Sequence, residues 1–257
     1  MSVRVIKLGG RAQSAPDLSQ RLRAASETTP VVIVHGGGDE VTALQRQMGV
    51  EPIFVHGRRV TRPEDLDAVR MVLSGTVNKR LVAQGLTAGL RAVGLSGEDA
   101  HLLTARVTDP TYGRVGREVH ADTSLLRDLL AAGWTPFISP LARDRESLDG
   151  AGLNVNGDDA AAAIAESLGA DELCFVSDVP GVMEQGSTLA HLDRAAIDDL
   201  VARGVAQGGM RAKLEAALVT LGAGVQRVRI TDIAGITDPT AGTSITLAGA
   251  AANAVRF

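Results

Sequence analysis

Short apolar runs that end in glycine or polar loops, each followed by a stretch with helical spacing, recur along the whole chain. The runs that we interpret as buried strands lie at 3–8, 31–34, 91–95, 136–139, 173–176 and 227–230. Helical spacing is found at 17–25, 41–48, 66–86, 124–132, 158–168, 195–203 and 210–221. This alternation predicts an α/β fold, an open and mainly parallel β-sheet sandwiched by helices. Ligands of such sheets bind at the loops that leave the carboxyl ends of the strands.

Two segments depart from this alternation. Residues 106–120 and 182–189 have turn residues between extended stretches and predict β-hairpins. A glycine-rich break at 149–152 suggests a boundary between two parts of the chain with different functions. We therefore expect an N-terminal lobe at 1–150 and a C-terminal lobe at 151–257 that share one continuous sheet.

Composition excludes several classes of protein. The 257 residues are 45% hydrophobic and 22% charged, which is typical of a globular chain, and no apolar run approaches the ~20 residues that span a bilayer. The N-terminus lacks the pattern of a signal peptide, which predicts a cytoplasmic protein without a membrane partner. Cys174 is the only cysteine, so neither an intrachain disulfide nor a cysteine-based zinc site can form. A net charge of −4 and 2% aromatic residues argue against nucleic acid as a partner.

Glycine-rich loops suggest a phosphate site of an uncommon kind. The chain contains neither G-x-x-x-x-G-K-[ST] nor a G-x-G-x-x-G after a strand, so a P-loop NTPase and a dinucleotide oxidoreductase are disfavoured. His35 and the three glycines after it resemble an esterase oxyanion loop, but no G-x-S-x-G accompanies them. Glycines after a strand let backbone N–H groups converge on an anion. Gly9 and Gly10, two residues after Lys7, therefore suggest phosphoryl transfer.

Lysine is rare in this chain, and its positions are informative. Of 26 basic residues only Lys7, Lys79 and Lys213 are lysines. A guanidinium is a planar fork and an ammonium a compact point charge, so a lysine that persists against this bias is a candidate for a place where arginine does not fit. The alternative is that these three lysines persist by chance.

Two helix starts carry unusual polar residues. Asp158 lies in the first turn of a predicted helix, where the helix dipole favours an acid, but Asn154 and Asn156 before it have no such explanation. The helix that begins near Gly208 and Gly209 carries the cation Lys213 early in its sequence, against the dipole. Residues that cost stability locally are candidates for function.

The chain resembles the amino acid kinase family, and within it the acetylglutamate kinases. The matching motifs run in order along nearly the whole sequence: VIKLGG at 5–10, IVHGGG at 33–38, GRRVT at 57–61, VNK at 77–79, GLSG at 94–97, LNVNGD at 153–158, SDVPGV at 177–182 and GMRAK at 209–213. Each motif is weak alone, whereas eight in order are specific. All three lysines lie within them.

The resemblance implies a reaction and a set of roles. The reaction is phosphoryl transfer from ATP, with Mg²⁺ on the nucleotide, to the side-chain carboxylate of N-acetyl-L-glutamate in arginine biosynthesis. Lys7 and Lys213 would neutralise charge on the transferring group, and Asp158 would hold both ammonium groups. Gly10 and Gly37 would donate backbone N–H groups to the phosphoryl.

The resemblance also implies separate sites for the two substrates. Arg59 would bind the α-carboxylate of the acceptor, while Asn154 and the amides near Gly36 and Gly37 would recognise its N-acetylated end. No protein metal ligand is implied. The expected nucleotide-binding residues are Lys7, Gly9, Gly10, Asp178, Val179, Pro180, Gly181, Gly208, Gly209 and Lys213.

Several alternatives stay open at this level. Arg58 is an alternative to Arg59, Lys79 favours a structural role, and His35 is expected to be a hydrogen-bonded residue at a strand end. Asn156 is expected to shape its loop. A related branch phosphorylates carrier-bound α-aminoadipate, and its motif shares Gly157 with this chain. A catalytically inactive ligand sensor is the alternative from another class.

The resemblance further implies a homodimer. Val69, Val72, Leu73 and Val77 approximate one apolar face of the helix expected at 66–86, which suits a two-fold contact. A first strand that starts near Val3 leaves no room for the extra N-terminal helix of arginine-inhibited relatives. We therefore expect a homodimer that L-arginine does not inhibit.

Overall fold

The strand that carries Lys7 lies in the middle of the molecule and joins its two halves. In the computed structural model, which describes residues 2–55, 58–147 and 150–247, this strand pairs in parallel with one strand from each half. Gly57 of the GRRVT motif and residues 248–257 of the expected C-terminal lobe lie outside the described residues. Strands from both halves of the sequence therefore belong to one sheet.

The neighbouring strands of the main sheet are parallel except for one antiparallel pair, Arg227–Thr231 with Thr243–Ile245, near one edge. Within the described ranges its order is β14 (His191–Leu192), β16 (Thr243–Ile245), β15 (Arg227–Thr231), β11 (Glu172–Val176), β1 (Arg4–Leu8), β2 (Val31–His35), β8 (Thr135–Ser139) and β5 (Ala92–Ser96). All six runs interpreted as strands are therefore strands, and the α/β class is confirmed.

A second, smaller sheet closes on itself beside the main one. Its strands, in order, are β10 (Gly152–Val155), β7 (Val115–Ala121), β6 (Leu103–Arg106) and β9 (Leu141–Asp144). The hairpin expected at 106–120 is the β6–β7 pair of this sheet. The hairpin expected at 182–189 is also present and consists of β12 (Met183–Glu184) and β13 (Ser187–Thr188). A further hairpin before Val60 consists of β3 (Phe54–Val55) and β4 (Arg58–Arg59).

Helices cover both faces of the main sheet. The α-helices of the described chain are α1 (Leu18–Thr28), α2 (Gly38–Gln47), α3 (Pro63–Arg70), α4 (Asn78–Thr87), α5 (Ser124–Ala131), α6 (Gly157–Leu168), α7 (Arg194–Ala202) and α8 (Gly208–Gly222). Short 3₁₀ turns lie at Arg11–Ser14, Asp99–His101, Pro110–Tyr112 and Ile233–Ile236. None of the helices in the described ranges has both the length and the apolar character needed to cross a membrane.

The core is divided by the sheet into two apolar layers. Alternate residues of β1 point to opposite faces, so Val5 packs with the layer under α6 and α8, and Ile6 and Leu8 pack with the layer under α1 to α4. By the same alternation Lys7 points toward α6 and α8. This placement of one strand residue decides where the functional site forms.

The helix expected at 66–86 exists, but its apolar face does not form a dimer contact. It consists of α3, a π-helical segment (Met71–Val77) and α4 in one run. Val69, Val72, Leu73 and Val77 are all buried in the core of their own chain. The expectation that they meet a partner is therefore wrong, because this face packs under the glycine loop after β2: a Cβ at Gly37 would come within 2.8 Å of Leu73.

Candidate functional site

Two lysines from opposite ends of the sequence meet one buried carboxylate. Lys7 Nζ lies 2.7 Å from Asp158 Oδ1, and Lys213 Nζ lies 3.3 Å from Asp158 Oδ2. Lys7 stands near the carboxyl end of β1, Asp158 in the first turn of α6, and Lys213 in the second turn of α8. The structure therefore brings together the three residues that the rarity of lysine and the helix-start argument had selected.

Burial and neighbouring charges act in opposite directions on the pKa values of Lys7 and Asp158. Burial lowers the pKa of Lys7, and Lys213 lowers it further, whereas Asp158 opposes both effects. Burial would raise the pKa of Asp158, but the two ammonium groups hold it below its ordinary value. Two cations around one buried anion leave a net positive charge, which an incoming polyanion can neutralise.

The loop before α6 presents Asp158 to the lysines. Asn156 caps the helix, because its Oδ1 accepts a hydrogen bond of 2.7 Å from the N–H of Asp158. Its expected role in shaping the loop is confirmed. Gly157 lies against Lys7, since a Cβ at this position would stand 3.2 Å from Lys7 Cε. A glycine here thus gives the lysine stem room beside the carboxylate.

A cavity of about 280 Å³ opens next to Gly157. Gly36, Gly37, Arg59 and Asn154 all line it, so the residues expected to bind the acceptor are brought together. The side chain of Asn154 is oriented by a 2.9 Å hydrogen bond from its Nδ2 to Thr61 Oγ1. Through Gly157 the cavity lies beside Lys7.

Arg59 is rigidly held at the wall of this cavity. Its guanidinium donates to Gln45 Oε1, to Gly38 O (2.8 Å) and to Thr42 Oγ1 (2.7 Å), and it stacks on the ring of Phe54 with 4.8 Å to the centroid. Of its five N–H donors, these three bonds leave two for a ligand. Partial burial lowers the pKa of Arg59, and nearby acids oppose that effect.

Sequence reasoning missed two further residues of the cavity and left a third undecided. Arg117 of β7 lines it, and its Nη1 is buried without a hydrogen-bond partner among the described residues. Asp159 also lines it, and burial raises the pKa of this carboxyl. Arg58 lies beside Asp159 and reaches the same space. Only Arg58 carried a sequence signal, because it neighbours Arg59; Arg117 reaches the site through the register of the small sheet.

The loops expected to bind the nucleotide leave adjacent strands, β1 and β11. The N–H of Gly9 donates to Val176 O at 2.8 Å, and the Arg11 guanidinium pairs with Asp178 at 2.8 Å on the surface. A Cβ at Gly9 would stand 3.0 Å from Val176 O, so the two loops run in close contact. Gly181 is buried against Thr188 and Thr243 and fixes the packing of its loop.

The remaining residues expected to contact the nucleotide are loosely packed. Cβ atoms built on Gly10, Gly208 or Gly209 would meet no described heavy atom within 4 Å. Val179 is half-buried and Pro180 is exposed in the loop after β11. A side chain at these three glycines would therefore meet no other part of the described chain.

Comparisons with known proteins agree with this geometry. The sequence model of the amino acid kinase family matches residues 2–232. An acetylglutamate kinase of Chloroflexus aurantiacus is 42% identical over 242 residues, which cover 92% of this chain and 94% of that protein. This chain belongs to the amino acid kinase family. The family resemblance stated from the motifs is therefore confirmed.

Solved structures of the amino acid kinase fold extend the comparison. The Streptococcus mutans UA159 protein smu.665 superposes with a TM-score of 0.84 at 32% identity, over 95% of this chain and 98% of that one. A carbamate kinase from Giardia lamblia bound to AMP-PNP has a TM-score of 0.68 at 20% identity, over 96% and 98% of the two chains, which supports the fold alone. As a member of this family, the chain is an ATP-using kinase with a small-molecule acceptor.

Proposed function

We propose that this chain transfers the γ-phosphoryl group of ATP to the side-chain carboxylate of N-acetyl-L-glutamate, giving an acyl phosphate. The observation that carries the proposal is the buried Lys7–Asp158–Lys213 trio beside the cavity that Arg59 and Asn154 line. The acetylglutamate kinases that are 42% identical over 92% of this chain support the choice of acceptor.

The chemistry suits a site without a general base. A carboxylate is already ionised at neutral pH, so one of its oxygens can attack the γ-phosphorus directly. A new P–O bond forms while the bond from the γ-phosphorus to the leaving oxygen of ADP breaks. The task of the protein is to bring two anions together and to neutralise charge on the transferring group. Lys7 and Lys213 supply that charge, and Asp158 holds their ammonium groups in place.

Backbone donors complete the stabilisation. We assign the N–H groups of Gly10 and Gly37 to the transferred phosphoryl. Preorganised donors of this kind contribute roughly 3–4 kcal/mol each in other enzymes.

The acceptor is oriented by the walls of the cavity. We assign its α-carboxylate to Arg59, and its acetylamino end to Asn154 and to the backbone near Gly36 and Gly37. The side chains of Arg58 and Arg117 line the same cavity, and Arg117 Nη1 is buried without a hydrogen-bond partner among the described residues, so both can share the anionic end. The carboxylate to be phosphorylated then faces Gly157 and Lys7.

The nucleotide occupies the open side of the lysine pair. We assign the expected loop residues after β1 and β11, with Gly208 and Gly209 at the start of α8, to ATP. Asp158 is engaged by both lysines, and the described residues contain no cluster of three or more metal-binding side chains. Mg²⁺ would therefore be held by the phosphate oxygens of ATP, whose charge it partly neutralises.

A hydroxylamine trap tests the reaction directly, since it converts an acyl phosphate to a hydroxamate. The purified chain is assayed with ATP and N-acetyl-L-glutamate, L-glutamate, N-acetyl-L-aspartate or carrier-bound α-aminoadipate. We expect hydroxamate from N-acetyl-L-glutamate and little from L-glutamate. Equal rates with these two acceptors would contradict the assignment of Asn154 and the Gly36–Gly37 backbone to the acetylamino end.

We also infer a cytoplasmic homodimer that acts in arginine biosynthesis. With one face of the α3–α4 run buried, the outward face is left for a partner, and it carries the exposed Met71 and Leu86 beside the edge strand β5. Sedimentation equilibrium of the wild type and of Met71→Glu tests this: the variant should shift toward monomer. An unchanged dimer would place the interface elsewhere.

A further inference from the structure

The third lysine, Lys79, is absent from the proposed chemistry, but its exposed ammonium begins a chain of hydrogen bonds that runs inward to the glycine loop after β2. Lys79 Nζ donates to Asn78 Oδ1 at 3.0 Å. Asn78 Nδ2 contacts both Phe137 O at 2.8 Å and His35 Nε2 at 3.1 Å. His35 Nδ1 in turn lies 2.9 Å from Gly36 O. Asn78 and His35 are fully buried.

The donor and acceptor identities along this chain allow only one arrangement. An ammonium can only donate, so the atom of Asn78 that faces Lys79 is its carbonyl oxygen. The amide nitrogen then faces Phe137 O and His35 Nε2, and donates to both. Because Nε2 must accept, the ring proton resides on Nδ1, which donates to Gly36 O.

The peptide between Gly36 and Gly37 transmits this constraint to the site. The C=O of Gly36 and the N–H of Gly37 belong to one trans peptide unit, in which they point in opposite directions. When His35 holds the carbonyl, the N–H of Gly37 points away from His35. Gly36, Gly37 and Gly38 line the acceptor cavity, so this N–H belongs to the cavity wall.

We propose that Lys79 and Asn78 are positioning residues that fix His35 as its Nδ1–H tautomer, and that His35 thereby aims the Gly37 N–H at the reacting groups. The proposal rests on the proposed function for what Gly37 does, but not for the tautomer itself. It gives the VNK motif at 77–79 and the histidine of the IVHGGG motif at 33–38 a shared role in orienting the Gly36–Gly37 peptide.

Two independent features of the structure support the proposal. Gly94 on β5 leaves room for the amide and the ammonium, since a Cβ there would come within 2.0 Å of Asn78 Oδ1 and 2.9 Å of Lys79 Nζ. Burial lowers the pKa of His35 to about 4. The charged groups around the ring are Arg80 and Lys79, which lower this pKa, and Glu40, which raises it. The ring is therefore neutral at physiological pH, and its one ring proton can lie on either Nδ1 or Nε2.

The tautomer is measured on the resting full-length protein, labelled with ¹⁵N-histidine, by long-range ¹H–¹⁵N correlation. The His35 signals are identified by their loss in His35→Asn. We expect a protonated Nδ1 and an unprotonated Nε2, with no titration between pH 5.5 and 8. An Nε2–H tautomer, or a His35 signal that titrates near pH 6.5, would overturn the proposal.

Variants of Lys79 connect the tautomer to activity. Lys79→Met removes the donor at an exposed position, so the variant should fold. Without the ammonium only Phe137 O orients the Asn78 amide, so we expect a minor Nε2–H population beside the Nδ1–H state and a roughly tenfold lower kcat with little change in the KM for ATP. Lys79→Arg restores a donor and should recover most of both. Gln84→Met, at another exposed position of α4, should behave as wild type.

The outcomes separate this proposal from the proposed function. If Lys79→Met leaves both the tautomer and kcat unchanged, the positioning role is wrong even though the kinase reaction stands. If the tautomer is as expected but N-acetyl-L-glutamate gives no hydroxamate, the acceptor assignment is wrong and the hydrogen-bond chain stands.

Discussion

At the scale of single residues, the ammonium groups of Lys7 and Lys213 are expected to be irreplaceable. A guanidinium at either position has a different shape and cannot place a compact charge beside Asp158 in the same buried space. Lys7→Arg and Lys213→Arg should each lower kcat by about two orders of magnitude or more, as expected for losing a charge-stabilising group. Steady-state kinetics with the hydroxamate readout measures this. Lys79→Arg is the matched control, because its donor reaches the site only through Asn78; an equal loss there would contradict the separation of roles.

Arg59 should act on the acceptor and not on ATP. Its three hydrogen bonds to α2 side chains and backbone need a fork that lysine lacks. Arg59→Lys should raise the KM for N-acetyl-L-glutamate about tenfold while the KM for ATP stays near its wild-type value. Separate titrations of the two substrates measure this. An unchanged acceptor KM would transfer the role to Arg58, which lines the same cavity.

The sequence predicted those site residues that stand in local motifs, and the reason is physical. Lys7 and Asp158 sit at a strand end and a helix start, where chain direction alone brings them to one edge of the sheet. Arg117 and Asp159 could not be selected, because their contact with the cavity depends on the register of the small sheet and on how α6 rotates against it. The role of His35 likewise depends on Asn78, which is distant in sequence.

At the scale of elements, the six strands interpreted from the sequence agree with the structure to within about a residue, because central parallel strands are buried on both faces and form continuous apolar runs. The short strands β9, β10, β14 and β16 were not predicted. The face of the α3–α4 run was misjudged for a related reason. An apolar stripe on a helix indicates that it is covered, but not whether its own chain or a partner covers it. Here the glycine loop at Gly37 covers it.

One buried ion network ties three elements together and allows a stability prediction. Glu172 on β11 pairs with Arg4 on β1, at 2.7 Å, and with Arg229 and Arg227 on β15. The guanidinium of Arg229 also donates to Gly235 O and Ala241 O, which fastens the loop after β15 to the sheet. Both Glu172 and Arg229 are almost completely buried.

Replacing Glu172 should therefore destabilise the protein strongly. Glu172→Gln leaves the buried Arg229 without its counter-charge, and breaking such a pair costs about 3–5 kcal/mol in the free energy of unfolding. Glu215→Gln is the control, because its pair with Arg211 is exposed and should contribute at most about 1 kcal/mol. Urea denaturation compares the two midpoints. Equal shifts would mean that the network does not contribute as its burial indicates.

At the scale of the whole molecule, the two halves of the sequence cannot unfold independently of β1. This strand pairs with β2 from the first half and with β11 from the second. The first half supplies Lys7 to the trio, and the second half supplies Asp158 and Lys213. The lobes expected at 1–150 and 151–257 stay a prediction, and strands from both belong to one main sheet. Ligand binding at the interface of the two halves should stabilise both together.

Cys174 offers a direct test of this coupling. It is the only cysteine, it is buried on β11 at the centre of the sheet, and burial raises the pKa of its thiol to about 11. The thiolate is the reactive form, so the native protein should be inert to thiol reagents at neutral pH and should be labelled only when the sheet opens. The labelling rate should fall when either substrate is bound, because each stabilises the native state by mass action. Mass-spectrometric labelling in sub-denaturing urea, with ATP alone, N-acetyl-L-glutamate alone and neither, measures this. Protection by ATP but none by a saturating acceptor would show that β11 opens without the acceptor half, and would contradict a single cooperative core.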